Sequence, residues 1–336
     1  LSFRDEALKA AGVEVLVRYG LDVPTADLLK LAQDSKVGAA VRLQVLRLLS
    51  VKTDAPAEVK AALLAATADG NGAALRIEAL QLMAQTDPAN ALVVAQRFLE
   101  VKGAQVAEKQ AAVRVIFGSA APDAAPLRDA LVGKLAQPKF DASIRLDVFL
   151  AAQARNDPAL QPALLQYQNA ARPAAELAAP GLPYVLLTAG GDPERGRTIT
   201  QEHLAANCVA CHRFEADEGS EVGPWLKKVG EQRTPAELAE SLVNPSAKIV
   251  PGFGIETITM RSGEVFSGSV VSETLSTLKV RLPDGVIKDL PVAAVANRTQ
   301  PVSIMPPMLG ILTPAEVRDV VAYLATLKSK APKAKK

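Results

Sequence analysis

The chain contains only two cysteines, and they stand three positions apart in Cys208-Val209-Ala210-Cys211-His212. Two thiols at that spacing can each add across one vinyl group of a haem, and a histidine directly after the second is held where its ring can bond the iron. The competing chemistries need residues that are missing. A structural zinc site would require two further ligands, and His203 is the only histidine left over. A thioredoxin-like dithiol would need a βαβ setting, which the surrounding segment lacks. With no third thiol there is no disulfide framework either. The expectation is one covalently attached haem c, tied by Cys208 and Cys211 and ligated by His212.

A second axial ligand must come from elsewhere. Met305, in Ser303-Ile304-Met305-Pro306-Pro307-Met308, is the favoured donor, because a thioether in a proline-stiffened loop is held in place without a helix. Met308 is the rival and His203 stands third; either methionine has core gap-filling as its alternative role. Met260 falls in an expected strand and reads as packing. An axial imidazole donates its other N–H to a carbonyl, and the carbonyl of Pro224 is well placed to accept it. Trp225, the only tryptophan, either packs along the haem edge, reaches a propionate or simply fills core. Arg233 and Arg213 are candidate propionate partners, with plain solvation as the alternative.

The elements that must position these residues lie in the second half of the chain. Ala179-Pro180-Gly181-Leu182-Pro183 and Ala189-Gly190-Gly191-Asp192-Pro193 mark a boundary between about 180 and 193, and Pro193 sits well in the first turn of a new helix leading to the cysteines. Thr234-Pro235-Ala236-Glu237 and Thr313-Pro314-Ala315-Glu316 both read as capping boxes that open helices. Between them, alternating segments at 255–261, 265–271, 277–282 and 286–290, separated by Ser262-Gly263 and Pro283-Asp284-Gly285, predict four short antiparallel strands.

From about residue 4 to residue 178 the pattern is instead one amphipathic helix after another, broken at Asp69-Gly70-Asn71-Gly72, Thr86-Asp87-Pro88 and Asn156-Asp157-Pro158. A basic residue is followed four positions later by a large apolar one at Arg4/Leu8, Arg42/Leu46, Arg76/Leu80, Lys109/Val113 and Arg145/Phe149, so the basic positions lie 38, 34, 33 and 36 apart. That is one helical hairpin per repeat. A hairpin this small cannot bury its apolar face alone, and stacking successive hairpins into an α-solenoid solves the problem. The period is shorter than the usual HEAT length and the tetratricopeptide signature is missing, so the reading is HEAT-like, with an irregular helical bundle as the alternative. Either arrangement implies a scaffold or docking surface.

Composition agrees with a mainly α protein of more than one domain: 336 residues, 49% hydrophobic but only 4% aromatic, the apolar weight carried by Ala, Leu and Val. Net charge is +2, with basic and acidic residues interspersed, which argues against nucleic acid as a partner. No apolar run is long enough for a transmembrane segment. The chain starts at Leu1 without a signal pattern and reads as processed or cut from something longer. The basic tail at 329–336 is expected to be disordered, or to dock on an acidic partner or membrane surface.

From about Gly191 to Leu327 the chain resembles the planctomycete and verrucomicrobial type haem-binding CxxCH proteins. The resemblance rests on Gly191-Asp192-Pro193-Glu194-Arg195-Gly196, the Cys208 to His212 run, Val222-Gly223-Pro224, Asn244-Pro245-Ser246 followed by Ile249, Gly252-Phe253, Asp284-Gly285, Ser303-Ile304-Met305-Pro306 and Val321-Ala322-Tyr323-Leu324. It implies a class I cytochrome c fold interrupted by a small β insert, often preceded by HEAT-like repeats and, in longer members, by a sorbosone-dehydrogenase-like propeller, of which this chain carries none. Two departures are visible: Trp225 replaces a small acidic or amide residue, and Pro307-Met308 replaces a pair such as Glu-Gly. The expected architecture is a HEAT-like helical repeat domain over 1–182 and a cytochrome c domain over 190–328 with its insert at about 253–300.

The function expected from these residues is single-electron transfer through a His/Met haem, with the helical repeats as docking scaffold for a redox partner protein such as a dehydrogenase. A second expectation is the cytochrome portion of a sugar or alcohol dehydrogenase whose catalytic part lies elsewhere, and a third is a haem sensor or pure scaffold. No catalytic residues of the chain's own are visible. Because haem c is attached outside the cytoplasmic membrane in bacteria, the expected location is periplasmic or secreted.

Overall fold

Proline and glycine punctuation sets the helix boundaries along the first half. In the computed structural model, which describes residues 11–13, 15, 23–170, 177–179, 182–214, 220 and 222–329, helices run over Thr25–Gln33 (α1), Ala39–Ser50 (α2), Pro56–Ala66 (α3), Ala73–Thr86 (α4), Pro88–Glu100 (α5), Val106–Gly118 (α6), Ala124–Lys134 (α7), Arg145–Arg155 (α8) and Gln161–Ala170 (α9). Pro56 and Pro88 occupy first-turn positions, where a missing N–H costs nothing. Asn156 ends α8 in the left-handed conformation at φ +50°. All three expected breaks fall between helices.

Two compact units divide the chain between Tyr167 and Gln168. The sequence reading put the divide later, at 182 to 190, on its prolines and glycines. Tyr184, Leu186 and Leu187, which lie at that punctuation, are buried and belong to the second unit.

In the first unit each helix from α1 to α7 packs on the next, and α1, α2, α4 and α6 also touch the next but one. The repeating pairs explain how. Leu46, Leu80, Val113 and Phe149 are all buried, while the basic residue one turn earlier reaches a neighbouring turn. Arg42 donates to Asn71 Oδ1 at 2.9 Å, Arg76 pairs with Glu108 at 2.7 Å, and Lys109 pairs with Asp141 at 2.6 Å, each partner roughly one period further on. Arg145 instead donates to the carbonyls of Gln137, Pro138 and Phe140. Burial would raise the Asp141 carboxyl, but hydrogen bonds from Lys109 and Ser143 outweigh it and hold the group below its ordinary value. The first pair, Arg4/Leu8, lies outside the described residues.

The second unit begins with a short antiparallel pair, Leu177–Ala179 (β1) with Leu182–Pro183 (β2), then a 3-10 turn over Tyr184–Leu187. Helix α10 (Pro193–Glu202) is capped by the Asp192 carboxylate, which accepts the N–H groups of Glu194 and Arg195. After short α11 (Val229–Gln232) come α12 (Pro235–Val243) and α13 (Pro314–Thr326), each opened by the capping box expected at Thr234 and Thr313. Helix α10 lies against α13 so closely that a Cβ on Gly196 would collide with the carbonyl of Asp319, so only glycine fits. Asp319, 3% exposed, fixes that crossing by pairing with Arg195 at 3.0 Å and accepting the Asp192 N–H at 2.8 Å.

Between α12 and α13 the four expected strands are Gly254–Met260 (β3), Val265–Glu273 (β4), Thr277–Arg281 (β5) and Ile287–Pro291 (β6). Two more, Val295–Arg298 (β7) and Val302–Ser303 (β8), also pair antiparallel with β3, giving the order β6-β5-β4-β3-β7 with β8 beside β3. Gly263 and Gly285 make the turns at φ +88° and +84°. Alternation along β3 and its neighbours gathers Ile258, Met260, Phe266, Leu278, Val280 and Leu290 into one apolar core, so Met260 is a packing residue as expected. Among the described residues no helix is long and apolar enough to cross a membrane. The basic tail lies outside the described residues from 330 onward.

Candidate functional site

The cysteine run folds as a single tight turn. Asn207 takes the left-handed conformation at φ +37°, Cys208–Ala210 forms a 3-10 turn, and the His212 N–H closes onto the Cys208 carbonyl at 2.9 Å. One helical turn therefore separates the two sulfurs, and Cys208, Cys211 and His212 line the same cavity. Its atom-free volume is about 1270 Å³ including the open mouth. Apolar side chains make most of its wall, with Leu238 and Leu242 from α12 and Val320 and Leu324 from α13.

His212 is fixed by a second segment. Gly223 donates its N–H to the Cys211 carbonyl at 2.7 Å and Leu226 donates to the Arg213 carbonyl at 2.8 Å, so residues 223–226 run beside the turn. That places the Pro224 carbonyl 2.9 Å from His212 Nδ1, the partner expected from the sequence. A carbonyl can only accept, so Nδ1 carries the proton and Nε2 keeps its lone pair. Burial pushes the imidazole below its usual pKa, against the opposing pull of the Pro224 hydrogen bond, which keeps the ring neutral and able to ligate. Burial likewise pushes the Cys208 thiol up. A Cβ on Gly223 would lie 2.7 Å from His212 Cε1 and 2.8 Å from Nδ1, so that glycine makes room for the ring.

Both candidate methionines line the cavity. Met305 is half-buried in a loop tied down by hydrogen bonds, its N–H to Ser303 Oγ and the Ser303 N–H to Ser246 Oγ, each 3.1 Å. Met308 is 3% exposed and anchored by its N–H to the Leu242 carbonyl at 2.8 Å. His203 is elsewhere: it is not in the cavity wall, and its Nδ1 accepts the Ala206 N–H at 3.1 Å. Arg233 lines the cavity and pairs with Glu237 at 3.5 Å.

Two of the candidate residues, Trp225 and Arg213, lie outside the cavity wall. Trp225 is 42% exposed, its indole N–H is taken by the Phe214 carbonyl at 2.9 Å, and Lys227 Nζ stands 4.8 Å and the Arg213 guanidinium 5.1 Å from its ring centre. The Arg213 guanidinium is thus within cation–π range of the indole. Lys248, which the sequence reading passed over, does line the cavity, 3.0 Å from Glu237. Nothing local marks Lys248, whereas Gly223 stood within a quoted motif without an assigned role. Among the described residues no three His, Cys, Asp or Glu side chains gather as a ligand set for a metal ion.

The chain matches no protein-family model and no curated protein.

Proposed function

We propose that this chain is an electron-transfer protein carrying one haem c in the cavity of its second unit, attached through Cys208 and Cys211, ligated by His212 and completed by Met305. The observation that carries the reading is the His212 Nδ1–Pro224 hydrogen bond beside an apolar cavity shared with both thiols. Metal-bound histidines use that partner arrangement to fix their tautomer and orientation. The residues fit the group: two thiols a turn apart, a neutral imidazole relieved of crowding by Gly223, two thioethers in the wall and room for a large flat ligand. A haem held there by Cys208, Cys211, His212 and Met305 would supply single-electron exchange.

The protein's own residues do the rest. The walls from α12 and α13 exclude water, Pro224 orients His212, and the Ser246 and Ser303 hydroxyls hold the Met305 loop in place. This geometry supports a class I cytochrome c domain with the six-stranded sheet as its insert. The helix-upon-next-helix packing of the first unit supports a HEAT-like solenoid, which would serve as docking scaffold for a redox partner such as a dehydrogenase, in a periplasmic or secreted protein. A potentiometric titration of the purified chain followed in the visible range tests this. One reversible one-electron transition is expected, and the lack of any redox-active band would refute it.

A further inference from the structure

Trp225 stands at the surface beside a cavity that it does not line. Among the described residues it is the only aromatic in the set of large apolar side chains that are open to solvent. Two hydrogen bonds join it to the site. His212 donates from Nδ1 to the Pro224 carbonyl at 2.9 Å, and that carbonyl belongs to the peptide bond leading into Trp225. On the other side the indole N–H donates to the Phe214 carbonyl at 2.9 Å, and Phe214 is a buried residue of the cavity wall. The same two segments are tied again by the Gly223 N–H on the Cys211 carbonyl at 2.7 Å and the Leu226 N–H on the Arg213 carbonyl at 2.8 Å, so the indole is held at a fixed place relative to the imidazole. Cation–π contacts from Lys227 and Arg213 steady the ring in addition.

We infer that Trp225 is the surface end of an electron path that runs from His212 through the Pro224 carbonyl, and so a place where a one-electron carrier exchanges with the site. The inference rests on the haem reading above and goes beyond it by naming an exit other than the cavity mouth. Electron tunnelling falls off less steeply along covalent bonds and hydrogen bonds than across gaps between unbonded atoms, and an axial imidazole is bonded to the iron itself. From Nδ1 of His212 the path crosses one hydrogen bond and then follows covalent bonds alone to the indole. In the oxidising direction one electron leaves ferrous iron, which becomes ferric, and reduces a metal-complex acceptor lying against the indole, which itself ends unchanged. No proton needs to move, because Nδ1–H and the indole N–H keep their carbonyl partners.

The test uses the full haem-bearing chain, in which both native thiols are taken, so that a ruthenium polypyridyl label goes only to the new thiol of Lys227→Cys, beside the indole, or of Lys248→Cys, at the cavity wall. Flash-quench oxidation of the label, with hexaammineruthenium(III) as quencher, then reads transfer from ferrous iron without a docking step. Adding Trp225→Leu is expected to slow transfer to the Lys227→Cys label several-fold, and Trp225→Phe, which keeps a ring, to slow it less. Transfer to the Lys248→Cys label, the Soret spectrum and the reduction potential should not move. An unchanged rate at the Lys227→Cys label overturns the path, and so does equal slowing at both labels, which marks a general disturbance of the site. A second readout needs no haem: Trp225 is the only tryptophan, so its fluorescence in the haem-free chain should be readily quenched by acrylamide, and a shielded indole overturns the surface end of the path. A chain isolated without haem overturns the haem reading, and this inference with it, whereas a haem-bearing chain indifferent to Trp225→Leu overturns this inference alone.

Discussion

Replacing Gly223 by alanine adds one methyl group at the most crowded point of the site. Its carbon would stand 2.7 Å from His212 Cε1, 2.8 Å from Nδ1 and 3.0 Å from the Cys211 carbonyl oxygen, and two of these atoms belong to the ring whose orientation the site depends on. The backbone at Gly223 is not in the left-handed region, so the cost is steric alone. Either the imidazole swings and loses its 2.9 Å bond to Pro224, or the 223–226 segment lifts and loses its bonds to the cysteine turn. Overpacking of about 1–3 kcal/mol plus one lost hydrogen bond of about 1 kcal/mol gives a destabilisation of about 2–4 kcal/mol. For a unit of the size of Gln168–Lys336 that lowers its melting temperature by roughly 5–12 °C. Calorimetry of the haem-free chain, with nitrogen-15 NMR of the His212 ring, reads both effects. An unchanged melting temperature together with an unchanged Nδ1–H signal would refute the steric reasoning.

The two methionines should separate by what they lose. Met308→Ala removes a buried side chain and should cost about 2–4 kcal/mol in urea unfolding, whereas Met305→Ala should cost under about 1 kcal/mol there but lower the reduction potential and admit carbon monoxide to the reduced iron. The Glu237 carboxyl is held down to about 2 from 4.5 by the Thr234 N–H and then by Lys248. A depressed carboxylate stabilises above its unfolded value and stops doing so as pH falls through its folded one, so Glu237→Gln should flatten the stability profile between about pH 4.5 and 2 and leave the slope above it alone. Arg76→Ala strands the Glu108 carboxylate, which is 1% exposed in its side chain, and should cost about 3 kcal/mol in denaturant unfolding of the first unit; a cost below about 1 kcal/mol would show that the contact between successive hairpins carries little.

Local signals made much of this molecule legible. The cysteine run, both capping boxes and the alternation of the four strands β3 to β6 each depend on residues within a few positions of one another, while the Pro224 acceptor stands twelve residues from His212. The repeat was readable because Leu46, Leu80, Val113 and Phe149 must be buried, and the basic residue a turn earlier proved to be what reaches across to neighbouring turns. The rest depends on distant pairing. Strand β7 reads Val-Ala-Asn-Arg without alternation and β8 has two residues, so both exist because β3 offers them an edge. Trp225 stands next to Pro224 in sequence, yet the Phe214 carbonyl turns its ring outward. Lys248 reaches the cavity only because of the path the chain takes between α12 and β3.

The central proposal is covalent: Cys208 and Cys211, which line one cavity, would be the anchors of a haem. Intact-mass spectrometry of the chain isolated from its native source under denaturing conditions tests it most directly. The account predicts a mass above that of the polypeptide by one haem, with no thiol open to alkylation. A mass equal to the bare polypeptide, with Cys208 and Cys211 both alkylated, would contradict it.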